Sequence, residues 1–219
     1  MAFTAQDVKA LREKTGVGMM ECKKALVEAD GDMDKAVDFL RERGLAAAQK
    51  KATRIAAEGV VLPYYDAQAK KGVVVEVNSE TDFVAKNAEF QELVANVAKT
   101  IVANNPADVE AALKIEVEGK DLATVIAEKS GKIGEKLSLR RFAVMTKAEN
   151  EVFGAYSHMG GKITALVKIA DSDEEKARDV AMHVAASAPQ FIDRSAIPAE
   201  HIAKETEVLK KQALEENAK

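Results

Sequence analysis

The 219-residue sequence has a single cysteine, no tryptophan, only four prolines and no long apolar run. Because Cys22 has no second cysteine to pair with, an intrachain disulfide is excluded, as is usual in the reducing cytosol. No apolar run approaches the roughly 18 residues that a membrane-spanning helix needs. Asp7 and Lys9 interrupt the first apolar residues too early for the core of a signal peptide. We therefore expect a cytoplasmic protein.

A strong charge of either sign is also missing. The sequence has 32 Lys and Arg against 36 Asp and Glu, a net charge of −4, whereas nucleic-acid binders usually carry a basic face. We therefore expect no stable nucleic-acid binding. One segment is locally basic and is interpreted either as a solvated helix with its linker or as a surface that touches RNA. Its basic residues are Arg41, Arg43, Lys50, Lys51 and Arg54.

Side-chain sets typical of enzymes are absent from the sequence as well. His158, His183 and His201 lack the spacing of metal ligands, and no Ser, His and Asp set suggests nucleophilic catalysis. His183 lies within an apolar helical pattern and is interpreted as a core residue, whereas His158 ends a strand pattern and is expected to be exposed. We expect no catalytic residue, no metal site and no cofactor, and a protein that is not an enzyme.

The N-terminal part of the sequence contains three short helical patterns. The first ends at Gly16, the second spans about 18–29, and the third is capped by Asp32 and ends at Gly44. Three helices joined by tight turns predict a compact bundle that resembles ubiquitin-associated modules. With the helical linker that follows, this N-terminal module is assigned to residues 1–54.

Two adjacent methionines mark the start of the second helix. Successive residues of a helix lie about 100° apart, so Met19 and Met20 cannot both face the core of so small a bundle. An exposed pair of methionines is an adaptable contact surface. Cys22 on the same helix is interpreted as a small core residue rather than a nucleophile.

Strand patterns begin after the N-terminal module. Two of them, 59–65 and 72–78, form a hairpin, and a third covers 136–147. Helical patterns cover 88–102 and 121–132. The sequence therefore predicts a first α+β subdomain over residues 55–148, with a small antiparallel sheet covered by helices.

A shorter version of this subdomain follows, with a hairpin and then an Ala-rich helix. It is assigned to residues 149–198. It is incomplete, since two isolated strands are marginally stable. Residues 199–219 read as an amphipathic helix, the start of a helical hairpin. We expect this segment either to form a homodimer through its apolar stripe or to be poorly ordered. The stripe consists of Ile202, Val208, Leu209 and Leu214.

The most informative segment is Thr81-Asp82-Phe83-Val84-Ala85-Lys86-Asn87, which follows a Val-rich strand. A ring in so polar a segment has two interpretations. Phe83 packs as a staple against the next helix, or it forms with Asp82 a wedge that is presented to a partner.

The spacing of the two subdomains favours the wedge. Val77 and Val97 are twenty residues apart in the first, whereas Ile169 and Val184 are fifteen apart in the second. The five additional residues fall at 81–85. A repeated fold that manages without this segment in one copy does not need it for packing.

The same heptapeptide resembles the signature of the bacterial elongation factor Ts family, the guanine-nucleotide exchange factors of elongation factor Tu. Two further segments resemble that family in the same order, residues 11–26 and residues 158–162 followed by 182–187. The resemblance spans nearly the whole chain. Members of the family continue through a returning helix, a strand and a C-terminal module, so the resemblance implies a C-terminally truncated sequence.

The resemblance also implies a function and a set of contacts. The protein would bind elongation factor Tu and promote GDP release by disturbing its Mg²⁺ and phosphate site. Asp82 and Phe83 would enter near that site, supported by His158, while the N-terminal module grips the nucleotide-binding domain. The residues implied to bind the partner are Leu11, Arg12, Met19, Met20, Thr81, Asp82, Phe83, Val84 and His158. The alternative is a non-catalytic α+β adaptor with a peptide-binding helical module and an RNA contact.

Overall fold

The structure is a computed structural model that describes residues 3–66 and 68–217. The outermost residues of the predicted segments 1–54 and 199–219 lie outside the described residues. The chain divides into two compact units, one up to residue 185 and one from residue 186. The predicted boundaries at residues 54, 148 and 198 stay predictions.

The described part of the chain is an α+β protein, as the sequence predicts. Its helices in chain order are α1 (Ala5–Thr15), α2 (Met19–Glu28), α3 (Met33–Lys51), α4 (Asp82–Ala85), α5 (Ala88–Asn104), α6 (Val109–Leu113), α7 (Leu122–Ile133), α8 (Glu174–Ser187) and α9 (Ala199–Asn217). Its strands are β1 (Glu58–Asp66), β2 (Lys71–Ser79), β3 (Glu116–Val117), β4 (Lys120–Asp121), β5 (Ser138–Thr146), β6 (Glu151–His158) and β7 (Ile163–Ala170).

Helices α1 to α3 form the N-terminal module around a core of their own. Thr4 caps α1 in a capping box with Asp7, and Gly16 ends the helix at a φ of 67°. The expectation that the third helix ends at Gly44 is wrong, because α3 continues to Lys51. The residues after Gly44 are Leu45 and three alanines, which are strong helix formers. The buried core residues are Val8, Leu11, Cys22, Ala25, Leu26, Ala29, Ala36 and Leu40.

The main sheet has the strand order β1-β2-β5, and all of its pairs are antiparallel. One face of β2 presents Val73, Val75 and Val77, which are fully buried in the same cluster as Phe90 and Ile101 of α5. The amphipathic helix thus covers the apolar face of the sheet. The sequence did not predict the hairpin β3–β4, because strands of two residues are too short to show alternation.

The second hairpin, β6–β7, packs against the main sheet. Val61 of β1 donates its N–H to the carbonyl of Gly161 at 2.8 Å, and the Thr164 hydroxyl donates to the Val61 carbonyl at 2.8 Å. A Cβ on Gly72 would lie 3.0 Å from Leu166 and 3.2 Å from Phe153, so both side chains pack against this glycine. The sheet has only two strands, as the sequence predicts, but it is not isolated, since β1 and β2 support the hairpin.

Helix α8 approaches β6 closely and leaves its histidine outside. A Cβ on Gly154 would lie 2.1 Å from the carbonyl of Ala177, so the helix backbone rests on the strand. Ala177 and Ala181 form the buried face. The interpretation of His183 as a core residue is wrong, because it lies about 200° around the helix from Ala181 and is exposed.

A buried acid links the central strand to its neighbour. Glu76 accepts hydrogen bonds from Arg140 at 2.8 Å, from Arg141 at 2.6 Å and from Asn78 at 3.4 Å. Burial acts to raise the pKa of Glu76, but the hydrogen bonds from Arg141, Arg140 and Asn78 outweigh it and hold the pKa below its ordinary 4.5. The carboxylate therefore contributes to stability as an ion.

Among the described helices, none is long and apolar enough to cross a membrane.

Replacing Glu76 with Gln should lower the free energy of unfolding by about 1–2 kcal/mol at pH 7, because neutral acceptors bind the two guanidinium groups less strongly. The stability that ionised Glu76 contributes is present above its unfolded pKa near 4.5 and is lost as the pH falls through its lower folded value. The difference between variant and wild type should therefore shrink below about pH 4.5. Urea unfolding at pH 7 and at acid pH measures it, with exposed Glu92→Gln as the control. A difference that is equal at both pH values would contradict this account of Glu76.

Candidate partner-binding site

Residues 80–87, here called the Phe83 turn, connect β2 to α5 through the single helical turn α4. Thr81 caps this turn and its hydroxyl accepts from the Val84 N–H at 3.4 Å, while Asn87 caps α5. Eight residues thus separate β2 from α5, whereas three separate β7 from α8. The five additional residues that the sequence predicts are present, and they form an ordered insertion.

The turn points its aromatic ring away from the protein. The Phe83 side chain is 81% exposed, whereas Ala85 is buried and Val84 packs partly against the main core. Phe90 of α5, the helix against which such a staple would pack, is fully buried although Phe83 is exposed. The staple interpretation is therefore wrong, and the predicted exposure of Phe83 is confirmed.

Asp82 stands beside the ring as an ionised acid. Lys86 donates to its carboxylate at 2.7 Å. This hydrogen bond and the charge of Lys86, with a further contribution from Lys162, hold the pKa of Asp82 below its ordinary 3.8. The site therefore presents an ionised carboxylate, paired with Lys86, next to an apolar ring.

Glu135, which sequence reasoning missed, anchors the start of the turn. Its Oε2 accepts from the N–H groups of Glu80 at 3.1 Å and Thr81 at 3.0 Å, and its Oε1 accepts from the Thr81 hydroxyl at 2.6 Å. Glu80 in return accepts from the N–H of Lys136 at 2.6 Å, and this bond is the main cause of its lowered pKa. One carboxylate thus satisfies three donors at the point where β2 ends.

His158 lies at the exposed end of β6, as predicted. Its ring stacks on Tyr156 with centroids 6.1 Å apart, and the Tyr156 hydroxyl lies 3.3 Å from its Nδ1. The neighbouring Lys162 forms an ion pair with Glu58 at 3.4 Å and influences Asp82. Since Glu58 pairs with Ser79 at the end of β2, the hairpin tip and the Phe83 turn share one end of the main sheet.

The predicted contacts of the N-terminal module divide into exposed and buried side chains. Met19 and Met20 are 42% and 66% exposed, so the prediction that the pair is not buried together is confirmed. Arg12 is also exposed. Leu11, which the resemblance implies as a partner contact, is instead fully buried with Val8 on the inner face of α1.

The three arginines of the basic segment around α3 are paired with acids. Arg41 forms an ion pair with Glu128, and Arg54 with Glu80 at 3.3 Å. Arg43 lies 3.0 Å from Glu21. Paired guanidinium groups offer less charge to phosphates, which favours the solvated interpretation over an RNA contact.

Across residues 3–66 and 68–217, no three His, Cys, Asp or Glu side chains are grouped as metal ligands would be. The groups at the Phe83 turn are a ring, a carboxylate, and backbone amides that are already satisfied. This arrangement is able to bind a partner by shape and charge.

Comparison with known proteins identifies the group to which the chain is similar. A family model described as elongation factor TS matches residues 80–219. The matched region begins at the first residue of the Phe83 turn and includes Glu135 and His158. It spans well over half of the sequence and agrees with the resemblance of the heptapeptide. The chain belongs to the elongation factor Ts family.

Proposed function

We propose that this protein is a guanine-nucleotide exchange factor that binds elongation factor Tu and promotes GDP release during translation elongation. Membership of the elongation factor Ts family implies this role in general terms. The observation that carries the proposal is Phe83, an 81% exposed ring held beside an ionised acid on an anchored turn. Exposed rings of this kind are typical anchors of protein interfaces.

Such a protein needs no reactive group. It needs only to bind the nucleotide-free GTPase more tightly than the GDP-bound form, because linkage then lowers the affinity for GDP by the same factor. The Phe83 ring would insert between elements of the GTPase near its Mg²⁺ site. The carboxylate of Asp82 would repel the phosphates and disturb the cation. The protein is thus a binding protein rather than an enzyme.

The other predicted contacts have distinct parts in the proposal. Thr81 caps the turn and Val84 anchors it to the core, so these two residues orient Phe83. His158 contributes from the neighbouring hairpin tip. Arg12, Met19 and Met20 form a second contact with the nucleotide-binding domain, and we propose that buried Leu11 supports them from inside the module.

We propose that the protein acts in the cytoplasm, where elongation factor Tu works, without stable nucleic-acid binding. The adaptor alternative is not favoured, because the arginines of the basic segment are paired with acids.

Phe83→Ala should slow GDP release from elongation factor Tu by roughly 30-fold, which corresponds to a hot-spot contribution of about 2 kcal/mol. The fold should be unaffected, because the ring is exposed. Asp82→Ala should have a smaller effect, since the ring does most of the displacement. Release of a fluorescent GDP analogue measures the rate. Ile55→Ala is the matched control, because Ile55 is an 84% exposed apolar residue outside the site.

Loss of stability by the 3–5 kcal/mol or so that is typical of buried aromatic residues would show that the ring packs internally. An unchanged release rate for Phe83→Ala would contradict the wedge.

Glu135→Ala should slow exchange by about ten-fold although Glu135 lies behind the ring, because two backbone donors and the Thr81 hydroxyl lose their acceptor. Glu135→Gln should restore most of the rate, since an amide oxygen still accepts from the N–H groups and its NH₂ donates to the Thr81 hydroxyl. The same release assay, with thermal unfolding alongside, separates positioning from folding. Equal rates for both variants and wild type would remove Glu135 from the proposal.

We also propose that the protein forms a homodimer through α9. Ile202 and Leu209 are both exposed and share one face of the helix, whereas Val208 and Leu214 lie about 120° to either side. The seam is thus narrower than the predicted four-residue stripe. Light scattering should give a concentration-dependent dimer that Leu209→Lys abolishes and Leu214→Lys weakens less. A monomer at high concentration would exclude this dimer.

A further inference from the structure

The N-terminal module meets the rest of the first unit at a crossing of two glycines. Gly44 of α3 faces Gly131 of α7, and a Cβ on Gly131 would lie 2.7 Å from both the Cα and the carbonyl oxygen of Gly44. Side chains do not approach backbone atoms so closely. Gly131 therefore allows the two helix backbones to touch.

One ion pair and one packing contact beside this crossing also join the module to the core. Arg41 of α3 pairs with Glu128 of α7. Lys132 lies over Gly16 at the end of α1 and donates to Glu89 of α5 at 2.6 Å. Next to them, a cleft of about 660 Å³ stays open between the module and α7. Because the cleft leaves part of the junction unpacked, the position of the module depends more on the Gly44–Gly131 contact than it would at a fully packed interface.

The same end of α7 also holds the Phe83 turn. The Ser130 hydroxyl donates to the Glu135 carbonyl at 2.6 Å, and the Glu135 carboxylate accepts from Glu80 and Thr81. Residues 128–135 therefore contact the module on one side and the turn on the other. The module that carries the exposed methionines and the turn that carries the exposed ring therefore both contact this one segment.

We propose that Gly131 is a positioning residue that fixes the N-terminal module relative to the Phe83 turn, so that Met20 and Phe83 engage one GTPase molecule together. This inference rests on the proposed exchange function. Once the first surface is bound, a rigid junction makes the second contact intramolecular and raises its effective concentration. A loosened junction loses this gain although both surfaces remain intact.

The crossing offers a matched pair of variants. Gly131→Ala forces the helices apart, whereas a Cβ on Gly44 meets its nearest atom at 4.0 Å, an ordinary contact. Gly131→Ala should raise the factor concentration needed for half-maximal GDP release by about ten-fold, at an unchanged maximal rate. Gly44→Ala should behave as wild type. Equal half-maximal concentrations for the two variants would overturn the proposal.

A double-mutant cycle separates positioning from general destabilisation. Met20→Ser should weaken binding about ten-fold in the wild-type and Gly44→Ala backgrounds, and less than about two-fold in the Gly131→Ala background. Phe83→Ala should have the same effect in all three, because the turn belongs to the core. An effect of Met20→Ser that is equal in every background would mean that the junction does not coordinate the two surfaces.

A measurement on the free chain keeps this inference distinct from the proposed function. Spin labels at Lys23→Cys in the module and Glu92→Cys in the core, both exposed positions, report their distance, while buried Cys22 stays unlabelled. The distance distribution should be narrow in wild type and Gly44→Ala and broad in Gly131→Ala. If thermal unfolding shows that Gly131→Ala does not fold, Arg41→Gln should broaden it instead.

Absence of exchange activity in wild type would refute the proposed function while these distances still test the junction. Unchanged distributions in the destabilised junction would overturn the role of Gly131.

Discussion

The Glu135 carboxylate is the contact on which the rest of the site depends. β2 ends with two backbone donors, and this one side chain accepts from both and from the Thr81 hydroxyl. Without an acceptor there, an insertion of five residues would be a loop of many conformations, and ordering it on binding would cost about 1–2 kcal/mol for each residue. With the acceptor, the helical turn is preformed, so in the proposed complex the ring would reach its partner with that cost already met by folding.

The site joins two properties that a fold rarely keeps together, an exposed ring and a fixed backbone. Ala85 and Val84 bind the turn to the core, so Phe83 can stay outside without loosening it. Asp82 remains charged because Lys86 balances it. α7 also contacts the N-terminal module, and in the proposed arrangement it fixes the methionines of the module relative to the Phe83 turn. The proposed exchange function works by differential binding, for which rigid placement of two contacts would be sufficient.

Local patterns predicted much of this structure. Periodicity predicts the longer strands and most helices, and the unequal spacing of the two subdomains predicts the exposure of Phe83. Glu135 could not be found in that way, because its bonds to Glu80 and Thr81 span 55 and 54 residues of sequence. The role of Gly131 is also hidden in the sequence, because a glycine within a helix shows nothing of the second helix, α3, that crosses it. The burial of His183 is predicted wrongly because successive residues of a helix lie about 100° apart, so the direction of the core decides which of them is buried.

Amide hydrogen exchange at Glu80 and Thr81 in the free protein tests the central claim, a turn preformed by Glu135, most directly. The account predicts protection of both amides near that of Val75 and Val77 in β2, and its loss in Glu135→Ala without change in the strand. Exchange at Glu80 and Thr81 as fast as in an unstructured peptide, in the wild-type protein, would show that the turn is not preformed and would contradict the account.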